Sequence, residues 1–365
     1  MERLDYDEQA DYRDWIREGL ARLAPLDRSR VLVEEGRRTD LRAGLGEMGV
    51  LGLAVGAEHG GADAGPEALA IFLEEAGRVL LPAAHLTSVA VVPFVLRQDL
   101  AGAGPDLLAA LAGGEAVVTI ADLDDPERPV TLADGSATGT KVAVIDADVA
   151  THALVVVGDA IVVLDLAGPG VHVEHLDNLD RTRPVARLHL EAAPVVPLGL
   201  ADAATVIAEA RTLLRLAIAT ETAGQVAACC DLSVDYAKTR HQFGRPIGGF
   251  QAVKHACADM FVAAQATSAA VAAAYASWFD EPGHRDLVAP ATIAYALRAG
   301  FDVAASTMQI HGGIAFTAEA TPQLYLKRAK AAQLLAGGVD ATTDWLAAAI
   351  LDGATDPLAP ILGRP

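Results

Sequence analysis

Two short segments carry most of the side chains whose types and spacing suit chemistry. The first is Lys238-Thr-Arg-His-Gln-Phe-Gly-Arg-Pro-Ile-Gly-Gly-Phe-Gln251. Its arginines sit beside a Gly/Pro turn, and a guanidinium offers a bidentate fork to a pyrophosphate. The second, Gln309-Ile-His-Gly-Gly-Ile-Ala-Phe316, lies about 60 residues downstream. Paired glycines let a ligand or another backbone approach closely. A solvated basic turn would explain a lone arginine, and a helix C-cap would explain one glycine. Neither explains the whole run or Gln309.

Acid–base candidates are sparser. Glu58-His59 stands in a Gly-rich loop and His311 inside the second segment, where a structural role suffices for both. Glu221 and Asp340 fall on helical patterns, where a carboxylate is ordinarily solvated or ion-paired. Cys229, Cys230 and Cys257 form no metal-ligand spacing, so no metal site is expected. Adjacent helical side chains point about 100° apart, so Cys229 and Cys230 are expected as separate reduced thiols. No Ser/His/Asp order or Walker-type loop is present.

The elements that must position these segments follow from periodicity. Apolar residues at Tyr12, Trp15, Ile16, Leu20 and Leu23 form a 3.6-residue stripe, predicting a helix over 7–24. Further helices are predicted over Leu41–Met48, Pro66–Val79 and His85–Leu96. Past Gly113-Gly114 the texture changes to short Val/Ile-rich runs: 116–120, 141–145, 153–157, 160–164, 171–174 and 186–190. Asp, Gly and Pro clusters separate them, as in an antiparallel β domain. From Ala201 onward long helices return: Ala203–Tyr236, Gln251–Phe279, Pro290–Gly312, and Ala329–Leu351 with Gly337-Gly338 as a break. The expected architecture is an α+β multidomain fold. An N-terminal helical domain (1–115) precedes a central antiparallel β domain (116–200) and a C-terminal four-helix bundle (201–365).

At 365 residues the chain is too long for one compact core. Its hydrophobic content is 52% but only 5% is aromatic, which suits tightly packed Ala/Leu/Val helices. A net charge of −20 opposes binding to nucleic acid or to acidic lipid. The polar, acidic N-terminus lacks a signal-peptide pattern. No run of roughly 20 consecutive apolar residues stands out. A cytoplasmic location, away from membrane, is the expectation.

The two segments resemble the flavin-contacting signatures of the acyl-CoA dehydrogenase family. Glu58-His-Gly-Gly and Ala76-Gly-Arg-x-Leu-x-Pro82 extend the likeness, as does the helical–β–helical order. The resemblance implies FAD, held by Arg240, Gln242, Phe243, Phe250, Gln251, Gln309, Gly312 and Gly313. It also exposes what is missing. Members abstract an α proton with a Glu while flavin takes the β hydride. One family position for that Glu follows an Arg-x-Ala-Lys segment. In the register of Lys327-Arg-Ala-Lys330 it falls on Ala336, with Gly338 at a flavin-contacting Thr. The other lies about 29 residues before Phe243 and falls on Leu214. The β-domain runs that hold the flavin ring are replaced by Thr119-Ile-Ala-Asp-Leu-Asp-Asp-Pro126 and Lys141-Val-Ala-Val-Ile-Asp146.

Elements given in trans across the family's dimers are kept here, and those used in cis are lost. That pattern resembles the non-catalytic subunit of actinobacterial heteromeric (α2β2) acyl-CoA dehydrogenases of steroid side-chain degradation. It implies a second acyl-CoA dehydrogenase subunit as partner, which supplies the base and binds most of the acyl-CoA. Two alternatives remain open: a self-sufficient enzyme with a displaced base, such as Glu221 or Asp340, and a flavin-free scaffold.

Overall fold

The computed structural model describes residues 4–35, 37–38, 41–99, 102–280, 285–317 and 319–351. They divide into two compact units, Met1–Phe72 with Leu81–Leu214, and Leu73–Leu80 with Arg215–Pro365.

The first unit opens with helix α1 (Tyr6–Leu23), started by a capping box in which Asp5 and Glu8 satisfy each other's backbone N–H groups. Ile16 and Leu20 are fully buried, but Trp15 stays 47% exposed and stacks on Tyr12 at 5.8 Å. Trp15 therefore belongs to the edge of the stripe and not to the core. Helices α2 (Leu26–Glu34), α3 (Leu41–Glu47) and the start of α4 (Pro66–Arg78) follow. The 85–96 segment is two elements, a π-helical stretch His85–Val91 running into α5 (Val92–Leu96), with Pro93 at the start of α5. Helix α6 (Gly104–Ala112) closes the helical part.

The β part is a seven-stranded sheet of β1 (Val118–Ala121), β2 (Thr131–Ala133), β3 (Ser136–Ile145), β4 (His152–Val157), β5 (Ala160–Asp165), β6 (Val171–Leu176) and β7 (Val185–Pro197). Its order is β1-β4-β5-β7-β3-β2, with β6 also paired to β7. The sheet departs from the fully antiparallel expectation at one pair. β1 and β4 run parallel, because the β2–β3 excursion intervenes and β4 returns in the direction of β1. Its core is small and aliphatic: Ala121, Val144, Val155, Leu164, Leu188 and Leu190 are all buried.

The second unit is built on α7 (Ala203–Thr239), whose residues from Arg215 onward belong to it. A two-residue-stranded hairpin, β8 (His241–Gln242) and β9 (Arg245–Pro246), leads into α8 (Gln251–Asp280). Helices α9 (Arg285–His311), α10 (Pro322–Leu335) and α11 (Val339–Leu351) complete it, with α9 packed against α8, α10 and α11. The expected break at Gly337-Gly338 is real: both glycines are left-handed, with φ +93° and +95°.

Close helix crossings rest on two glycines. A Cβ at Gly224 would lie 1.7 Å from the Glu74 carbonyl oxygen, and one at Gly77 would lie 1.9 Å from that of Glu221. Backbone cannot yield as a side-chain tip can. Gly224→Ala is expected to destabilise this unit by about 3 kcal/mol, read as a lower urea midpoint.

Two of these helical stretches, Gln251–Phe279 and Arg285–Phe316, reach the length and mean hydropathy of a bilayer span. More than half of the apolar window in the second is buried within the protein, but only 22% of that in the first. The outward face of α8 carries Ala258, Phe261, Val262, Ala269, Ala272 and Ala276, interrupted by Gln265.

Candidate functional site

The first motif folds as a tight hairpin at the end of α7. The Arg240 N–H closes the helix on the Tyr236 carbonyl, and the Ile247 N–H returns to the Arg240 carbonyl, both at 2.8 Å. Its two central residues, Phe243 and Gly244, have φ of +52° and +77°. A two-residue hairpin loop asks for left-handed backbone at both positions, which glycine adopts freely and phenylalanine does not. The strained Phe243 is 91% exposed, so no internal packing compensates it. Behind it, Phe250 meets the Phe243 ring edge-on at 6.0 Å, and the Arg245 guanidinium lies 4.1 Å over the Phe250 ring.

The second motif ends α9. His311 donates from Nδ1 to the Thr307 carbonyl at 2.8 Å and stacks on Tyr236 at 4.3 Å. This stack brings the two motif-bearing helix ends together. Burial pushes the His311 pKa below its ordinary value. Gly312 turns left-handed at φ +65°, and a Cβ on Gly312 or Gly313 would meet only open space.

The predicted cofactor-binding residues therefore sit at the surface. Arg240, Gln242, Phe243, Gln251, Gln309 and Gly313 are exposed, and Phe250 and Gly312 are half-buried. Gln242 and Gln251 are turned to local partners, the His241 carbonyl and His255. The Arg240 and Gln309 side chains make no hydrogen bond or ion pair with the described residues. Free guanidinium and amide donors beside an open diglycine turn suit a pyrophosphate-bearing group such as the nucleotide half of FAD.

Leu214 and Ala336, the positions where the resemblance expects a base, carry aliphatic side chains. Leu214 lines a small pocket in the first unit with Val95, Ile120, Leu154, Ile161 and Ile207. The carboxylate on that pocket, Asp122, is held by Arg211 through two bonds of 2.7 and 2.6 Å. That pairing is what raises the Arg211 pKa. Ala336 is buried at the C-terminal end of α10.

The displaced-base candidates fare differently. Glu221 is fully buried and paired at 2.8 Å with the equally buried Arg328. Asp340 is exposed in the first turn of α11. Gly337 and Gly338 break the helix between Ala336 and Asp340, so the two do not share a face as continuous periodicity would have it. All three cysteines are free thiols, and burial pushes Cys229 up to about 12.

Where ring-binding polar groups were expected to be lost, the polar groups present bind inward. Lys141 is fully buried, with Nζ on the Asp122 carbonyl at 2.9 Å, the Val156 carbonyl and the Asp124 carboxylate at 2.7 Å. The Thr119 hydroxyl donates to the Ile145 carbonyl at 2.6 Å. Asp122, Arg211 and the fastening role of Lys141 escaped sequence reasoning. A lysine inside a Val/Ile run was the signal, because a buried ammonium demands partners.

Residues 6–98 match the acyl-CoA dehydrogenase N-terminal domain, and 204–351 match the acyl-CoA dehydrogenase C-terminal domain. The chain is 33% identical over 337 residues to acyl-CoA dehydrogenase FadE34 of Mycobacterium tuberculosis. That match covers 88% of this chain but only 45% of FadE34, so the chain spans less than half the length of that relative. It is 34% identical over 301 residues to acyl-CoA dehydrogenase IpdE2 of the same organism, covering 79% of this chain and 80% of IpdE2. Among solved structures, the Tcur3481-Tcur3483 steroid ACAD G363A variant superposes with a TM-score of 0.84 at 26% identity, covering 96% and 99% of the two chains. The ChsE4-ChsE5 complex from Mycobacterium tuberculosis gives 0.86 at 23% identity, covering 97% and 100%, a likeness of fold. With both terminal domains matched and IpdE2 similar over four-fifths of its length, this chain belongs to the acyl-CoA dehydrogenase family.

Proposed function

We propose that this chain is the FAD-completing, catalytically silent subunit of a heteromeric acyl-CoA dehydrogenase. The observation that carries the reading is a division between two places. Arg240 and Gln309 stand at the surface with no partner among the described residues, beside an exposed, strained Phe243. Both base positions, Leu214 and Ala336, are aliphatic. Donors with no internal use are positioned for a group held largely by a neighbour. An aliphatic side chain takes no proton from carbon, and the Asp122 carboxylate on the Leu214 pocket is held by Arg211.

In this reading Arg240 and Gln309 hold the pyrophosphate and adenosine end of FAD. Gly312 and Gly313 give it room, and Phe243, Phe250, Gln242 and Gln251 shape the rim. FAD, when bound, supplies the acceptor for the substrate's β hydride. The base and most of the acyl-CoA contacts come from the partner, in an α2β2 assembly joined through the C-terminal bundle. The Ala-rich outward face of α8, with Phe261 and Val262, suits close packing on a second bundle. The reaction is α,β-dehydrogenation of an acyl-CoA, and the steroid ACAD likeness favours a bulky steroid side-chain thioester. The protein works in the cytoplasm, and its residues group into three domains, 1–115, 116–200 and 201–365.

Engagement of Asp122 by Arg211 and of Glu221 by Arg328 weighs against a self-sufficient enzyme. Asp340, exposed beyond a two-glycine turn, is the remaining carboxylate for that second reading. The free donors weigh against a flavin-free scaffold.

In the assembled complex, Arg240→Ala and Gln309→Ala should each weaken FAD binding by about 1.5–3 kcal/mol, roughly 10- to 100-fold. Equilibrium titration of flavin fluorescence reads this without reference to turnover. Wild-type affinity in both variants would remove the nucleotide role from this surface.

A further inference from the structure

A second pocket in the first unit has no part in the reading above. It lies among α3, the end of α4's first-unit segment at Phe72, the π-helical stretch and α6, and its walls are apolar, with Leu45, Phe72, Val89 and Leu111. Three of its polar residues are already engaged. Arg38 is held by Asp146, Asp148 and the Pro82 carbonyl. His85 donates from Nδ1 to the Ala83 carbonyl at 2.8 Å, and Ser88 Oγ accepts from the Val118 N–H at 3.1 Å. Arg42 also lines the pocket, is half-buried, and has no hydrogen bond or ion pair with the described residues.

A partly desolvated guanidinium that has no partner among the described residues, beside an apolar hollow, asks for an anion attached to an apolar body. The hollow encloses about 50 Å³. That is below the ~150 Å³ of a cavity that admits benzene, so the body is short. A π-helical wall adds to the case, since such stretches concentrate at functional sites. We propose that this pocket binds a small branched aliphatic carboxylate, with its alkyl group between Leu45 and Val89 and its carboxylate on Arg42. The site lies wholly within the first unit and does not depend on the proposed subunit role.

The test is a ligand-observed NMR titration of the full chain with 3-methylbutanoate, 3-methylbutan-1-ol and 3-methylbutylamine. The acid should saturate with a Kd on the order of 1–10 mM, as a seven-heavy-atom ligand allows. It should bind at least about fivefold tighter than the alcohol, and the amine should not saturate. Arg42→Ala should erase the preference for acid over alcohol, and Arg42→Lys should keep part of it. Leu45→Trp, which fills the hollow, should abolish binding of both. Ala84→Leu serves the same purpose if circular dichroism shows Leu45→Trp unfolded, and Arg42→Ala alone decides if both filling variants unfold. Equal affinity for acid and alcohol, an unchanged preference in Arg42→Ala, a folded filling variant with wild-type affinity, or no saturation of the acid would each overturn the proposal.

Discussion

Glu221→Gln is expected to destabilise the helical bundle by about 3 kcal/mol or more while leaving turnover of the assembled enzyme nearly unchanged. Glu221 and Arg328 are both fully buried and meet at 2.8 Å. Neutralising the carboxylate strands a guanidinium in the interior, and the cost lies mostly in that uncompensated charge and less in the lost attraction. A base for carbon-acid chemistry needs the reverse setting, a carboxylate with a lone pair free to reach the substrate. Urea unfolding of the variant, set beside steady-state turnover below the transition, separates the two roles. A variant of wild-type stability with turnover abolished and FAD still bound would make Glu221 the base after all.

That experiment also marks where sequence reasoning stops. Glu221 and Asp340 could be found by periodicity, since residues seven or four apart share a helical face. What each carboxylate does depends on Arg328, more than 100 residues away in sequence, and on two left-handed glycines that end one helix and begin another. Periodicity is local and partnership is not. The same distinction runs through the rest of the chain. The long C-terminal helices and both motifs were legible, because their spacing is itself the signal. The parallel β1–β4 pair was not, because neighbouring short runs say nothing about the route between them. Lys141 looked like a missing flavin contact. Only the fold shows it fastening the Asp122–Asp124 segment to β3 and β4. Helix α2 and helix α6 were passed over, one short and charged, the other introduced by Gly104-Pro105. Its place in a motif singles out Phe243, but its exposure and its left-handed backbone are facts of the hairpin.

Produced without a partner, the chain should oxidise acyl-CoA more than about 10³-fold more slowly than an intact family member, the scale of a missing general base. It should also retain little FAD. Two independent deficits underlie this, and they respond differently to repair. Ala336→Glu returns a carboxylate to one family position, but the next two residues are left-handed glycines and the site of Gly338 lacks a hydroxyl. The Lys141 and Arg211 pairings in the first unit are untouched by that substitution. The single substitution is therefore expected to give no turnover in the solitary chain. Co-expression with an acyl-CoA dehydrogenase that carries its own Glu should restore both flavin and activity, in an α2β2 assembly holding one FAD per heterodimer. The two chains then supply opposite ends of each cofactor site. Light scattering with flavin absorbance measures mass and stoichiometry on the same sample. Arg240→Ala in this chain should lower flavin content there without dissolving the assembly, because the guanidinium stands at the surface with no partner among the described residues. A stable homotetramer with one flavin per chain, indifferent to any partner, would contradict the division of labour. Full activity of that homotetramer would move the search for a base to Asp340.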